Sequence, residues 1–460
     1  MERTYPYMPN SAPTTRQEMM EELGISSIEE LLTSIPEHLR FREDLDIPKP
    51  MLSEVELSRH INGIMNQNIS CNEYSSFLGA GCYQHFVPSV CDEINSRAEF
   101  LTAYTGDTYS DHGKNQAIFE YNSQMAELLD MDMLSFTYYD GGQAVCTALR
   151  MAGRITERRE VLIPASVSPF YLSQMRDYCR ASLDIVLVDF EPDTGRMDLN
   201  DLKKKLSDKT AAVFIENPTY LGVLEEQAEE IGRLAHEQGA LFVVCPDVAS
   251  LGILEAPANY GADIACGELQ PLGMHQNYGG GCAGFIATPQ EKRFIDEHTT
   301  YLYTIAPTKV EGQYGFSRMF PARTSHGSRE KAKEYYGTSA GLWCITAAVY
   351  LAVMGPEGMR ELGENILCRS NYLKQKMASL PGVRLPLSGA TFQEFVVDFN
   401  QTGKTVEEIN DALLAHKIFG GKDLSKEFPA LGQSALYCVT EVQSLASIDA
   451  LYDALAEILK

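Results

Sequence analysis

The sequence predicts an α/β domain with a mostly parallel sheet, followed by a smaller α+β domain. Two observations lead there. From about residue 75 to 330, short β-rich runs alternate with helical segments, as in successive βαβ units. After a long helical segment the chain then closes with two strand-like runs and two more helices. The bulk composition agrees: 44% hydrophobic and 22% charged residues suit a globular chain with a large core. A length of 460 residues allows two or three domains at ~100–200 residues each.

Residues 1–60 form a helical arm. TTRQEMMEELG predicts a capped helix and SSIEELLTSIP a second, with Ser26 or Ser27 as cap and Pro36 as stop. MLSEVELSRHINGIMNQN predicts an amphipathic helix whose apolar face is Leu52, Val55, Ile61, Ile64 and Met65.

The large domain is expected over 61–335. VPSVCDEINSR, NQAIFEYNSQMAELLDM, SPFYLSQMRDYCRAS and LNDLKKKLSDK are helical, and YDGGQAVCTALRMAGRIT is a turn opening a helix. EVLIPAS, DIVLVDF, TAAVFIEN, LFVVCPD, ADIACGE and CAGFIAT are strands. Gly239 ends the helix in EEQAEEIGRLAHEQGA. Over 336–460, a long helix broken near Gly355-Pro356 leads to strands in TFQEFVVDF and ALYCVTE and helices in VEEINDALLAHK and SIDALYDALAEILK.

A formal charge of −25 argues against nucleic-acid binding, which needs a basic footprint, and against docking on anionic membranes. The eleven cysteines include no C-x-x-C pair and give no metal framework, a distribution suited to a reducing compartment. The start, MERTYPYMPNSAP, lacks a signal-peptide pattern. No run reaches the ~18 uninterrupted apolar residues of a membrane span. A cytoplasmic protein is the expectation.

Four segments could carry chemistry. Gly141 and Gly142 precede a helix whose N–H groups and dipole could hold a phosphate, or they simply make a turn. Asp247, at the end of a buried strand, could pair with a pyridinium nitrogen or cap the next turn. GADIACGELQPLGMHQNYGGG, from Gly261 to Gly281, completes an order of strand, acid and Gly-rich turn. That order resembles the cofactor pocket of aspartate-aminotransferase-like (fold type I) pyridoxal-phosphate enzymes. Their Schiff-base lysine is missing here, since no lysine lies between Lys209 and Lys292. His275 is a candidate general base, or a hydrogen-bonding loop residue. RMFPARTSHGSREKAK gathers Arg318, Arg323, Arg329, Lys331 and Lys333 against Glu330 into a basic segment that could dock an acidic partner, a carrier or an anionic substrate, or lie solvated.

Taken jointly, several longer stretches resemble one family. They are YPYMPNSAPTTRQEMMEELGISSIEELLTSIP, SSFLGAGCYQHFVPSV, FLTAYT, YYDGGQAVCTALRMA, NPTYLGVLEE, GADIACGELQPLG with GGGCAGF, VYLAVMGPEGMRELGE and TFQEFVV. The chain resembles the first, alpha, subunit of two-subunit glycine dehydrogenase (decarboxylating), the P-protein of the glycine cleavage system. The resemblance implies the pyridoxal-phosphate transferase fold without its lysine. It places the cofactor in a beta subunit, in an α2β2 assembly whose active site lies between the halves. It also implies glycine decarboxylation, with the aminomethyl group passed to the lipoyl arm of the carrier H-protein. On this chain it implies that Tyr104, Thr105, Gly141, Gly142, Asp247, Glu268 and Gln270 line the shared site.

Three stretches depart from the family. After AYT the family usually continues PYQPEISQG, where this chain has GDTYSDHGK, Gly106 to Lys114. The segment 317–344 keeps little beyond Arg329-Glu330-Lys331-Ala332 of the family's basic run, and TEVQS replaces TEKRT at Thr440 to Ser444. Two further readings follow: a non-catalytic or altered-substrate paralogue that binds a beta-like partner and regulates, and a stand-alone enzyme that uses His275.

Overall fold

The computed structural model describes residues 4, 7–8, 11–43, 45–101, 114–278, 283–319, 333–334 and 339–460. The chain divides into two units, Met1–Ile69 and Ser70–Lys460.

In the first unit, local capping determines where the helices begin and end. The Pro13–Leu23 helix starts on a proline, which needs no N–H there, and stops at Gly24 in the left-handed conformation, φ 66°. Ser27 and Glu30 form a reciprocal capping box, as Ser27 predicts, but the helix it opens is a 3-10 segment of five residues, Ile28–Leu32. It ends well before Pro36, and no described residue of it is buried. Ser53 caps the helix Glu54–Met65, on which Val55, Ile61, Ile64 and Met65 are all exposed.

The second unit is built on a seven-stranded sheet. Its order is Met133–Leu134, Gly284–Thr288, Ile264–Glu268, Leu241–Pro246, Thr210–Asn217, Glu160–Pro164 and Asp184–Val188. Only Gly284–Thr288 runs against the rest, so the sheet is mostly parallel. The inner strands are buried almost without interruption because helices cover both faces. Successive side chains alternate between two cores. Val213, Ile215, Phe242 and Val244 pack on one face with Tyr121, Met125 and Ile231. Ala212, Phe214, Leu241 and Val243 pack on the other with Ala148, Leu149 and Met175.

The Gly141–Thr156 helix lies on the second face, buried along its length. The Gly341–Met377 helix is long and apolar enough to cross a membrane by length and composition. Its Cys344, Ile345, Ala347 and Tyr350 lie in the first core. It breaks where the sequence predicts, at Gly355 (φ 60°, ψ −179°) beside Pro356. Beyond it an antiparallel sheet, ordered Glu394–Asp398, Ser434–Cys438, Lys422–Asp423, packs with the helices Val406–Ala415 and Leu445–Ile458. Ser75–Ser76 pairs in parallel with Ile418–Phe419. The antiparallel hairpin Leu302–Pro307 with Tyr314–Met319 has no counterpart in the sequence reading. Its exposed tip turns at Gly312, φ 78°, and offers no clean apolar alternation to detect.

The strand Glu394–Asp398 comes so close to the turn after Thr210–Asn217 that a side chain would not fit. Gly222 has φ 84°, and a Cβ there would lie 2.1 Å from the Glu394 carbonyl oxygen. Gly222→Ala is expected to cost roughly 2 kcal/mol or more of unfolding free energy, from backbone overlap added to left-handed strain. Gly312→Ala, at φ 78° with nothing within 4 Å, should cost only the strain, about 1 kcal/mol. Urea melts that rank the two variants equally would contradict this packing.

Candidate functional site

The carboxyl ends of the parallel strands, where open α/β sheets place their ligands, border a cleft of about 390 Å³. Thr210–Asn217 delivers Glu216, Leu241–Pro246 delivers Asp247 just past its end, and Ile264–Glu268 delivers Glu268. The Gly141–Gly142 turn and Ala80–Tyr83 complete the wall.

Glu268 is the most heavily hydrogen-bonded group there. Its Oε2 accepts the Gly141 N–H at 2.8 Å. Its Oε1 accepts N–H bonds from Leu269 at 2.9 Å, Gln270 at 3.2 Å and Ala283 at 2.8 Å. Burial still pushes its pKa up to about 7, against the pull of these donors, and Asp140 adds to the rise. Asp140 itself caps the helix by accepting the Gln143 N–H at 2.7 Å.

Asp247 caps the following turn through Oδ1, which accepts the Ala249 N–H at 2.8 Å. Its Oδ2 accepts from Gln393. Burial raises its pKa, partly offset by His85. Glu394, from the C-terminal sheet, accepts the Ala80 N–H at 2.6 Å and the Tyr83 hydroxyl at 3.0 Å. Burial lifts it to about 7. Glu216 accepts the Ser168 N–H at 2.8 Å, and burial lifts it to about 8. Cys82 is no ready nucleophile, because burial and Glu268 push its thiol up to about 11.

Of the residues expected to line a shared site, Gly141, Gly142, Asp247 and Glu268 meet at the cleft. Gln270 is 1% exposed and lies behind it, tying down the loop before the first helix of this unit. It accepts the Tyr83 N–H at 3.1 Å and donates to the carbonyls of Tyr83 at 2.9 Å and Met274 at 3.0 Å. His275 is exposed, hydrogen-bonded to Asp92 at 3.0 Å, and is not among the cleft's lining residues. Tyr104, Thr105, Arg323, Arg329 and Lys331 lie outside the described residues. The sequence reading did not single out Glu216, Tyr83 or Glu394. An acid closing the buried run TAAVFIEN was a usable signal for Glu216, the same as for Asp247. Glu394 had none, because its place depends on how the C-terminal sheet docks.

These residues do not fit pyridoxal phosphate. Among the described residues, no lysine or arginine lines the cleft, so neither an amine nor a counter-charge for phosphate is present. The N–H of Gly141, which a phosphate would need, is bonded to Glu268. The glycine pair also serves packing: a Cβ on Gly142 would overlap the Gln174 side chain, and one on Gly141 would lie 2.6 Å from the Tyr171 hydroxyl. Among the described residues, no group of three or more histidines, cysteines and acids is placed to hold a metal.

The model of the family described as "Glycine cleavage system P-protein" matches residues 6–455. The chain belongs to the glycine cleavage system P-protein family. A protein of Pyrococcus furiosus named "Probable glycine dehydrogenase (decarboxylating) subunit 1" is 39% identical, over 98% of this chain and 99% of its own. A crystal structure of glycine decarboxylase (P-protein) of the glycine cleavage system, in inhibitor-bound form, superposes with a TM-score of 0.86 at 31% identity, over 99% of this chain and 100% of that one. Sphingosine-1-phosphate lyase of Burkholderia pseudomallei, at 14% identity and a TM-score of 0.63, shares the fold alone, over 92% of this chain and 94% of its own. The fold is that of the aspartate-aminotransferase-like, fold type I enzymes, with a small C-terminal α+β portion.

The raised carboxyl pKa values set a pH dependence. Glu216, at about 8, keeps a proton in the folded protein that an unfolded chain releases near pH ~4.3. Its contribution to stability is therefore full below the unfolded value and is lost as pH rises through the folded one, at up to about 1.4 kcal/mol per pH unit. Glu216→Gln removes this titration. Unfolding free energy plotted from about pH 5 to 8 should slope downward less in the variant than in the wild type; identical slopes would place the proton elsewhere.

Proposed function

We propose that this chain is the alpha subunit of a two-subunit glycine decarboxylase. The enzyme removes the glycine carboxylate as carbon dioxide and transfers the aminomethyl group to the lipoyl arm of H-protein. The P-protein match over residues 6–455, joined to a cleft rich in carboxylates and, among its described lining residues, without an amine, supports this reading above others. Pyridoxal phosphate and its lysine then belong to a beta subunit, in a cytoplasmic α2β2 assembly. An obligate interface of this kind buries ~2,000 Å² or more.

Within that assembly the chain serves as wall and scaffold. The large portion, 61–335, presents the cleft, and 336–460 supplies Glu394 behind Tyr83. Tyr104 and Thr105 would contact substrate across the interface. Arg323, Arg329 and Lys331 would meet the acidic partner or carrier.

The test is reconstitution. The full-length chain alone should show neither pyridoxal-phosphate absorbance nor exchange of labelled bicarbonate into the glycine carboxyl. Adding a lysine-bearing beta subunit and H-protein should start the exchange. Exchange that never appears with any beta subunit would remove this reading. Exchange by the isolated chain, lost in His275→Ala, would instead establish the stand-alone enzyme.

A further inference from the structure

Helix N-termini attract anions because their first N–H groups have no partner within the helix. The sixteen-residue Gly141–Thr156 helix opens onto the cleft, yet its Gly141 N–H is already taken by a carboxylate of the same chain. The donors on that carboxylate come from three separate places. Gly141 belongs to the helix, Leu269 and Gln270 follow the Ile264–Glu268 strand, and Ala283 immediately precedes the antiparallel Gly284–Thr288 strand. The register of those two strands sets Glu268 opposite Gly284, which brings Ala283 within reach. A Cβ on Gly141 would lie 2.9 Å from the Glu268 Cβ, so the side chain fills the space against the helix start. The N–H groups of Gly141, Gln270 and Ala283, with that of Leu269 shared with the Ala283 carbonyl at 2.8 Å, thus form an anion cradle with the anion built in.

We infer that Glu268 occupies the place a phosphate group would take, so that this chain refuses phosphate-bearing ligands by occupancy as well as by lacking a lysine. The inference rests on the proposed function in taking the cofactor to be held by the partner. It adds that the carboxylate itself keeps the cleft of this chain clear. Because Asp140 also lines the cleft, an incoming phosphate meets like charge beside the cradle as well.

The test uses the full-length chain and inorganic phosphate at about pH 8, above the Glu268 pKa of about 7, at constant ionic strength against chloride. Wild type should melt at the same temperature at every phosphate concentration. Glu268→Ala vacates the cradle and should gain saturable stabilisation, a rise of about 2 °C at ten times Kd for a chain of this length. Glu268→Gln, which refills the space, should stay indifferent. If Glu268→Ala does not fold in chloride, Glu268→Ser, whose hydroxyl keeps one acceptor, takes its place. Three results would overturn the inference: saturable phosphate binding by wild type, a folded small variant indifferent to phosphate, or small variants that fold in neither anion. Each reads phosphate on this chain alone, so the inference can fail while reconstituted exchange succeeds, and the reverse.

Discussion

The cleft is organised by one carboxylate holding four backbone N–H groups. Glu268 joins the start of a buried helix to the ends of two antiparallel strands, accepting the N–H groups of Gly141, Gln270 and Ala283 together with that of Leu269, which also donates to the Ala283 carbonyl at 2.8 Å. An unsatisfied buried donor costs ~1–3 kcal/mol, so removing a shared acceptor is felt in three segments together. The raised pKa records the other side of the balance: burial opposes the charge that the donors favour.

The same tension recurs around the cleft. Glu216, Asp247 and Glu394 each accept local donors, and burial raises each one. Burial is the main cause each time; Glu394 adds to the rise at Glu216, and Asp247 to that at Glu394. Such a wall suits the proposed half-site, which leaves the covalent chemistry to another polypeptide.

Much of this was legible in the sequence, and the limits are physical. Uninterrupted apolar runs such as LFVVCP mark the doubly covered strands, and glycines such as Gly239 and Gly355 mark stops that the backbone obeys. Gly141, Gly142 and Asp247 could be located, because turns and strand ends are local signals. What they face could not be located, because Gln174, Gln393 and Glu268 reach them from distant parts of the chain. The arm shows the opposite limit. Ser27 forms its capping box, but a cap starts a helix without determining its length, and no buried face carries this one to Pro36.

The close approach at Gly222 has a mechanical consequence. The Leu224 N–H bonds the Ala390 carbonyl at 2.7 Å, Val223 bridges Thr391, and Gln393 and Glu394 reach Asp247, Ala80 and Tyr83. The segment entering the C-terminal sheet is therefore stitched into the cleft wall and is not hung beside it on a hinge. Any displacement of that sheet must drag the acidic wall along, so whatever presses on the C-terminal face is transmitted to the cleft as strain.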